Sequence, residues 1–151
     1  MAQPLTGQAF AAGLHRLEVA LRQAALPEGV ALRAAALELE RATVLELSQP
    51  GSGRAYRRGN VVHVASAPGE PPAPDTGVLR ASVHSGVIDG EMRVGVRARY
   101  AAALEFGTAT AGKSGHVTIA PRPFMRPALA KALDRMRLVV RAALDRAAEQ
   151  A

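Results

Sequence analysis

The 151-residue chain has no cysteine and no tryptophan, and aromatic residues make up only 3% of it. Without cysteine, disulfides, thiolate metal sites and cysteine nucleophiles are all excluded, and the redox compartment is left open. With 48% apolar residues but few rings, the core has to be built from Ala, Leu and Val. A thin core of small side chains gains stability by packing against neighbouring subunits, so an oligomer is expected. No apolar run approaches the roughly 20 residues that cross a bilayer. No N-terminal pattern of charged then apolar residues stands out either, so the expectation is a protein without membrane contact, made and assembled in the bacterial cytoplasm. The length suits one domain, residues 1–151, which buries roughly 70% of the surface of its unfolded chain.

Positive charge is in excess, with 19 Lys and Arg against 13 Asp and Glu, a net charge of +6. Such a balance favours contact with polyanions. The positive residues are nearly all arginine scattered along an Ala-rich chain, a usage that GC-rich coding also produces, so charge alone does not establish a nucleic-acid role.

Periodicity organises the rest. Phe10, Leu14, Leu17 and Leu21 recur at helical spacing and predict an amphipathic helix that stops near Pro27. A second helix is expected over Val30–Leu47, apolar on most of its circumference and therefore sandwiched between other elements. Residues 48–60 carry Pro50, Gly51, Gly53 and Gly59 around Arg54, Arg57 and Arg58, the pattern of a flexible loop. Val61–Ala65 is a short strand candidate. Pro68, Pro71, Pro72 and Pro74 then make residues 66–77 an extended arm, preset to dock on a partner with little loss of entropy.

From Leu79 to Val87 the pattern has period two, Asp89-Gly90 supplies a hairpin turn, and Met92, Val94 and Val96 alternate with polar or small residues. Tyr100–Phe106 is helix-like and ends at Gly107, a candidate left-handed cap. A loop over 107–116, a short strand over His116–Ala120 and a final helix follow. That helix has Pro127 in its first turn and one apolar stripe running from Met125 to Ala147. The fold class expected is α+β: two N-terminal helices, a small mainly antiparallel sheet with a β-hairpin, and a long C-terminal helix packed on the sheet.

One string invites an enzymatic interpretation and is refused. Gly107–Ser114 matches the phosphate-loop pattern, but that mechanism needs a buried strand before the loop and a helix starting at Lys113. The preceding residues instead look helical, and the following ones are β-branched and proline-rich. His15, His63, His84 and His116 never fall at the i, i+4 spacing of a helical metal pair, and Ser52 lacks the strand and sharp turn of a hydrolase nucleophile. No catalytic residue, metal site, cofactor or small-molecule substrate is therefore expected, and the chain is not expected to be an enzyme.

Three segments, in order, carry a family resemblance: Gly69–Ser82 with Asp75-Thr76-Gly77 and Leu79-Arg80, then Tyr100–Thr108 with Glu105-Phe106, then Arg122–Leu129 with Phe124 and Arg126. Together they resemble the Hong Kong-97-type tail-component family of siphophages, prophages and gene transfer agents. The likeness covers about Val61 to Leu138. It implies a head-tail joining or tail-completion protein of the virion neck, a homo-oligomer ring, a hexamer among the options, around the DNA channel. Its partners would be copies of itself, neighbouring neck and tail-tube proteins, and packaged DNA held without sequence preference.

On that footing Pro71, Pro72, Asp75, Thr76, Gly77, Tyr100, Glu105, Phe106, Arg122, Phe124 and Arg126 are candidate interface residues. Arg54, Arg57 and Arg58 are candidate DNA-channel contacts. Elementary chemistry leaves alternatives open. Asp75-Thr76-Gly77 also serves as a turn or cap that sends Leu79 into the core. Tyr100 and Phe106 also suit a buried aromatic pair. Arg122 and Arg126 stand where the helix dipole disfavours positive charge, which points to an external acidic partner. The rivals in function are a tail terminator or connector ring of another neck layer, and, from a different class, a free DNA-binding protein.

Overall fold

The computed structural model describes residues 28–149; the helix expected around Phe10–Leu21 lies outside them. The class is mixed helix and sheet, as the periodicities require. Helix α1 (Glu28–Glu46) is followed by strands β1 (Ala55–Arg58) and β2 (Val61–Val64), the single-turn helix α2 (Val78–Ala81), and strands β3 (Val83–Ile88) and β4 (Glu91–Val96). Helix α3 (Ala101–Phe106), strands β5 (Thr108–Ala111) and β6 (Val117–Ile119), and the long helix α4 (Met125–Glu149) complete the order. The strands form three separate antiparallel hairpins rather than one sheet.

Small side chains decide how the helices meet. Ala31, Ala35 and Leu39 on α1 and Ala128, Ala132, Met136 and Val140 on α4 form two ridges that each step by four residues, and all are buried in one cluster. Alanine at these positions lets the two backbones approach closely, which is how a chain poor in rings still makes a dense core. Polar links flank the seam: the Lys131 ammonium meets the buried Glu46 carboxylate, and Arg135 lies 3.4 Å from Glu38. Helix α4 thus rests chiefly on α1, and the sheet contributes Met92 and Val94 of β4 to the same cluster. On α1, Val30, Leu37 and Leu45 stay more than half exposed among the described residues, so that helix is covered on two sides and not all round.

The Asp89-Gly90 turn forms as its chemistry dictates, with φ of 53° and 74°, and pairs Val83 with Val96 through Ile88 with Glu91. Alternation puts Val83, Ser85 and Val87, with Met92, Val94 and Val96, on the inward face, and the Ser85 hydroxyl donates to Glu40 of α1. The period-two pattern overreached at its start. Leu79 and Ala81 belong to α2, where Gly77 at φ 78° turns the chain and the Ser82 hydroxyl donates to the Leu79 carbonyl at 2.7 Å.

Two of the three expected loops contain strands. Within 48–60, Ala55–Arg58 pairs with Val61–Val64, joined at Gly59, whose φ of 61° suits the first position of a II′ turn. Its glycines serve close approach rather than mobility: a Cβ on Gly51 would stand 2.4 Å from the Ala65 carbonyl oxygen, and one on Gly53 2.8 Å from it. Within 107–116, Thr108–Ala111 pairs with Val117–Ile119. Gly107 has φ 74° but ψ 169°, so it is not a left-handed cap. It reverses the chain from α3 into β5, in a conformation essentially restricted to glycine.

Candidate functional site

The second core cluster is the floor of the site. Leu47, Val83, Ala101 and Phe124 are buried together, with Leu79, Leu104 and Met125 packed against them. Above this floor opens a cleft of about 270 Å³ walled by the β1–β2 hairpin, the proline arm, α2, the start of α3 and Arg122. Two backbone bonds close its rear: the Arg122 N–H donates to the Leu104 carbonyl at 2.7 Å, and the Gly69 N–H to the Pro121 carbonyl at 3.0 Å. Tyr56 and His63 meet edge to face, 5.0 Å between ring centroids, on the hairpin side. Tyr100, nearly half exposed, lines the opposite wall.

Charge in the cleft is unbalanced. Arg80 and Arg122 line it against one carboxylate, Asp75. The Arg80 guanidinium touches the Ser48 hydroxyl at 3.3 Å. Arg122 has its Nε buried with no acceptor among the described residues. A buried donor on a charged group is costly to leave unmatched.

The expected interface residues divide sharply. Asp75, Thr76, Gly77, Tyr100 and Arg122 come together around the cleft with Pro72, although they are far apart in sequence. Thr76 offers its hydroxyl oxygen to the Val78 N–H at 3.5 Å, a weak cap, and Leu79 enters the second core cluster as the turn predicts. Pro72 is buried against its own chain, so the arm is already docked and does not reach out at that point; Pro71 is half-buried. Phe124, 1% exposed, is a core residue and offers nothing to a partner. Phe106 is 69% exposed and Tyr100 46%, so the two are no buried aromatic pair.

Glu105 does something the sequence did not disclose. Its carboxylate accepts the N–H groups of Phe124, Met125 and Arg126 at 2.7, 3.0 and 3.3 Å. It caps α4 from twenty residues away, and it supplies the negative charge that the helix start calls for. Arg126 at that start is exposed, with its N–H on this internal carboxylate.

Arg54 and Arg57 are exposed on or beside the β1–β2 hairpin, and Arg57 with its cross-strand neighbour Val62 faces away from the cleft-lining Tyr56 and His63. The side chain of Arg58 lies outside the described residues. Lys113 and Ser114 sit in the turn between β5 and β6, and no helix begins there, so the phosphate-loop string does not form a phosphate cradle. Among the described residues no group of acidic and histidine side chains is placed to hold a metal ion, and no helix is long and apolar enough to cross a membrane.

Beside the cleft, Glu70 ties the proline arm to the loop after α1. Hydrogen bonds from the Ser52 hydroxyl, then from the Ala67 and Ser52 N–H groups, hold its carboxyl below the ordinary value of 4.5. A depressed value stabilises the fold above the unfolded-state value, and that contribution is lost as pH falls through the folded one. Acidification below about 4.5 is therefore expected to speed amide exchange at Ser52 and Ala67 beyond the change at control amides, and Glu70→Gln to remove that excess.

Comparison with protein-family models, with curated proteins and with solved structures finds no match for this chain.

Proposed function

We propose that the chain is a structural component of the neck of a tailed phage or phage-like particle, where it joins head to tail as part of a ring around the DNA channel. The observation that supports this most is the cleft itself. Asp75, Thr76, Gly77, Leu79 and Arg80, then Tyr100 and Leu104, then Arg122 belong to the three separate segments of the family resemblance, and they meet in one exposed, basic, tyrosine-rimmed depression. Basic and aromatic residues that meet at an open surface suit a protein contact better than a packed core. Exposed Val61, Val62, Val78 and Phe106 add apolar area of the kind that association covers.

The rival with an observation of its own is free DNA binding, favoured by Arg54 and Arg57 on the β1–β2 hairpin and by the net charge of +6. Light scattering on the purified chain, with and without the tail-tube protein, separates the two. A ring, or a chain that co-migrates with the tube protein, is the expected result. A chain indifferent to tail protein but shifted by DNA, with steep loss of binding as salt rises, overturns the proposal in favour of nucleic-acid binding.

A further inference from the structure

We propose that copies of this chain associate head to tail, the exposed turn Ile88–Glu91 of one copy seating in the Arg80–Arg122 cleft of the next. This partner assignment rests on the assembly role above. Charge favours an acidic occupant of the cleft, because Arg80 and Arg122 line it with a single carboxylate residue, Asp75. The turn offers one. Asp89, Gly90 and Glu91 are exposed and Ile88 is 50% exposed, so an apolar side chain stands beside two carboxylates.

Glu91 is free to change partners. Its one ion pair among the described residues is with Arg93, at 3.1 Å, and both side chains are more than half exposed. Such a surface pair contributes little, so it does not hold Glu91 firmly. Tyr56 and Tyr100, each nearly half exposed on the cleft walls, give Ile88 apolar surface to cover.

Geometry prevents a copy from filling its own cleft. Val83 packs in the cluster that floors the cleft, while five strand steps at about 3.4 Å carry the chain roughly 17 Å from it to Ile88. The link from Ser85 to Glu40 points that strand toward the N-terminal half of α1, away from Leu47. The turn therefore stands well away from the cleft of its own copy, and the two patches are distinct. An interface between two different patches is heterologous, and it generates a ring wherever the rotation between copies closes. The cleft volume of about 270 Å³ accommodates one carboxylate side chain together with part of an isoleucine.

The test uses the exposed residues Arg80 and Glu91, whose replacement leaves the core intact. Sedimentation and light scattering are run over a wide concentration range for the wild-type chain, Arg80→Glu, Glu91→Arg and the double variant, with thermal melts as the folding control. The expected result is concentration-dependent self-association of the wild type. Each single reversal weakens it at least about tenfold, and the double variant recovers much of the loss. A wild type that stays monomeric at about 1 mM, single variants that associate like wild type, or a double variant no better than the singles overturns the head-to-tail contact. If that contact fails while the chain still joins the tail-tube protein, the neck role stands. Self-association that obeys the charge swap in a chain binding no neck or tail protein overturns the neck role alone.

Discussion

Phe124→Ala is expected to cost about 3–5 kcal/mol of folding stability, the range for truncating a fully buried ring. Phe124 is 1% exposed and lies among Leu47, Val83 and Ala101, with Leu79, Leu104 and Met125 around it. It is the one fully buried ring among the described residues, in a core otherwise made of Ala, Leu, Val and Met. Small neighbours have few rotamers with which to fill the void, so the cavity stays largely open and the cost falls toward the upper end. A domain of this size has about 5–15 kcal/mol in total, so the variant sits near the edge of folding. Urea denaturation measures the loss. Phe106→Ala is the control: Phe106 is 69% exposed, and its truncation is expected to change stability by no more than about 0.5 kcal/mol.

Glu105→Ala is expected to cost about 2 kcal/mol, more than an exposed carboxylate ordinarily contributes. Three backbone N–H groups at the head of α4 converge on its two oxygens, and without the carboxylate all three lose their acceptor, those of Phe124 and Met125 in a half-buried setting. The negative charge also opposes the positive end of the helix dipole. Glu105→Gln separates the two contributions, since an amide oxygen still accepts a hydrogen bond but carries no charge; it is expected to recover part of the loss. The same denaturation curves give the result. Slower opening of α4 than of α3 in hydrogen exchange, reversed in Glu105→Ala, would place the effect at the helix start.

What the sequence discloses follows the range over which a signal acts. Helices α1 and α4 and the Asp89-Gly90 hairpin rest on local periodicity and turn chemistry, and they appear where expected. The β1–β2 hairpin was hidden by its composition: Gly59-Asn60 is a turn signal, but three arginines and two close-approach glycines around it resemble a solvated loop. Residues 79–81 alternate like a strand over too short a run for period two to be distinguished from one helical turn.

The site was legible in part. Asp75, Thr76, Gly77, Tyr100 and Arg122, from separated segments, stand on its walls. Glu105 and Phe124 belong to the same segments of the resemblance, yet one caps a helix and the other fills the core. Both roles depend on the β5–β6 hairpin folding back so that Leu104 meets Arg122, a tertiary closure with no periodic trace in the chain. Tyr56 and His63 were missed for the same reason: they reach the cleft only because the β1–β2 hairpin exists.

The most direct test of the proposed neck role is to delete the gene for this chain from the genome that encodes it, and to view the particles that genome produces by electron microscopy. Accumulation of DNA-filled heads and separate tails, joined again when the purified chain is added, is the predicted outcome. Normal, infectious particles in the complete absence of the chain would contradict a role in joining head to tail.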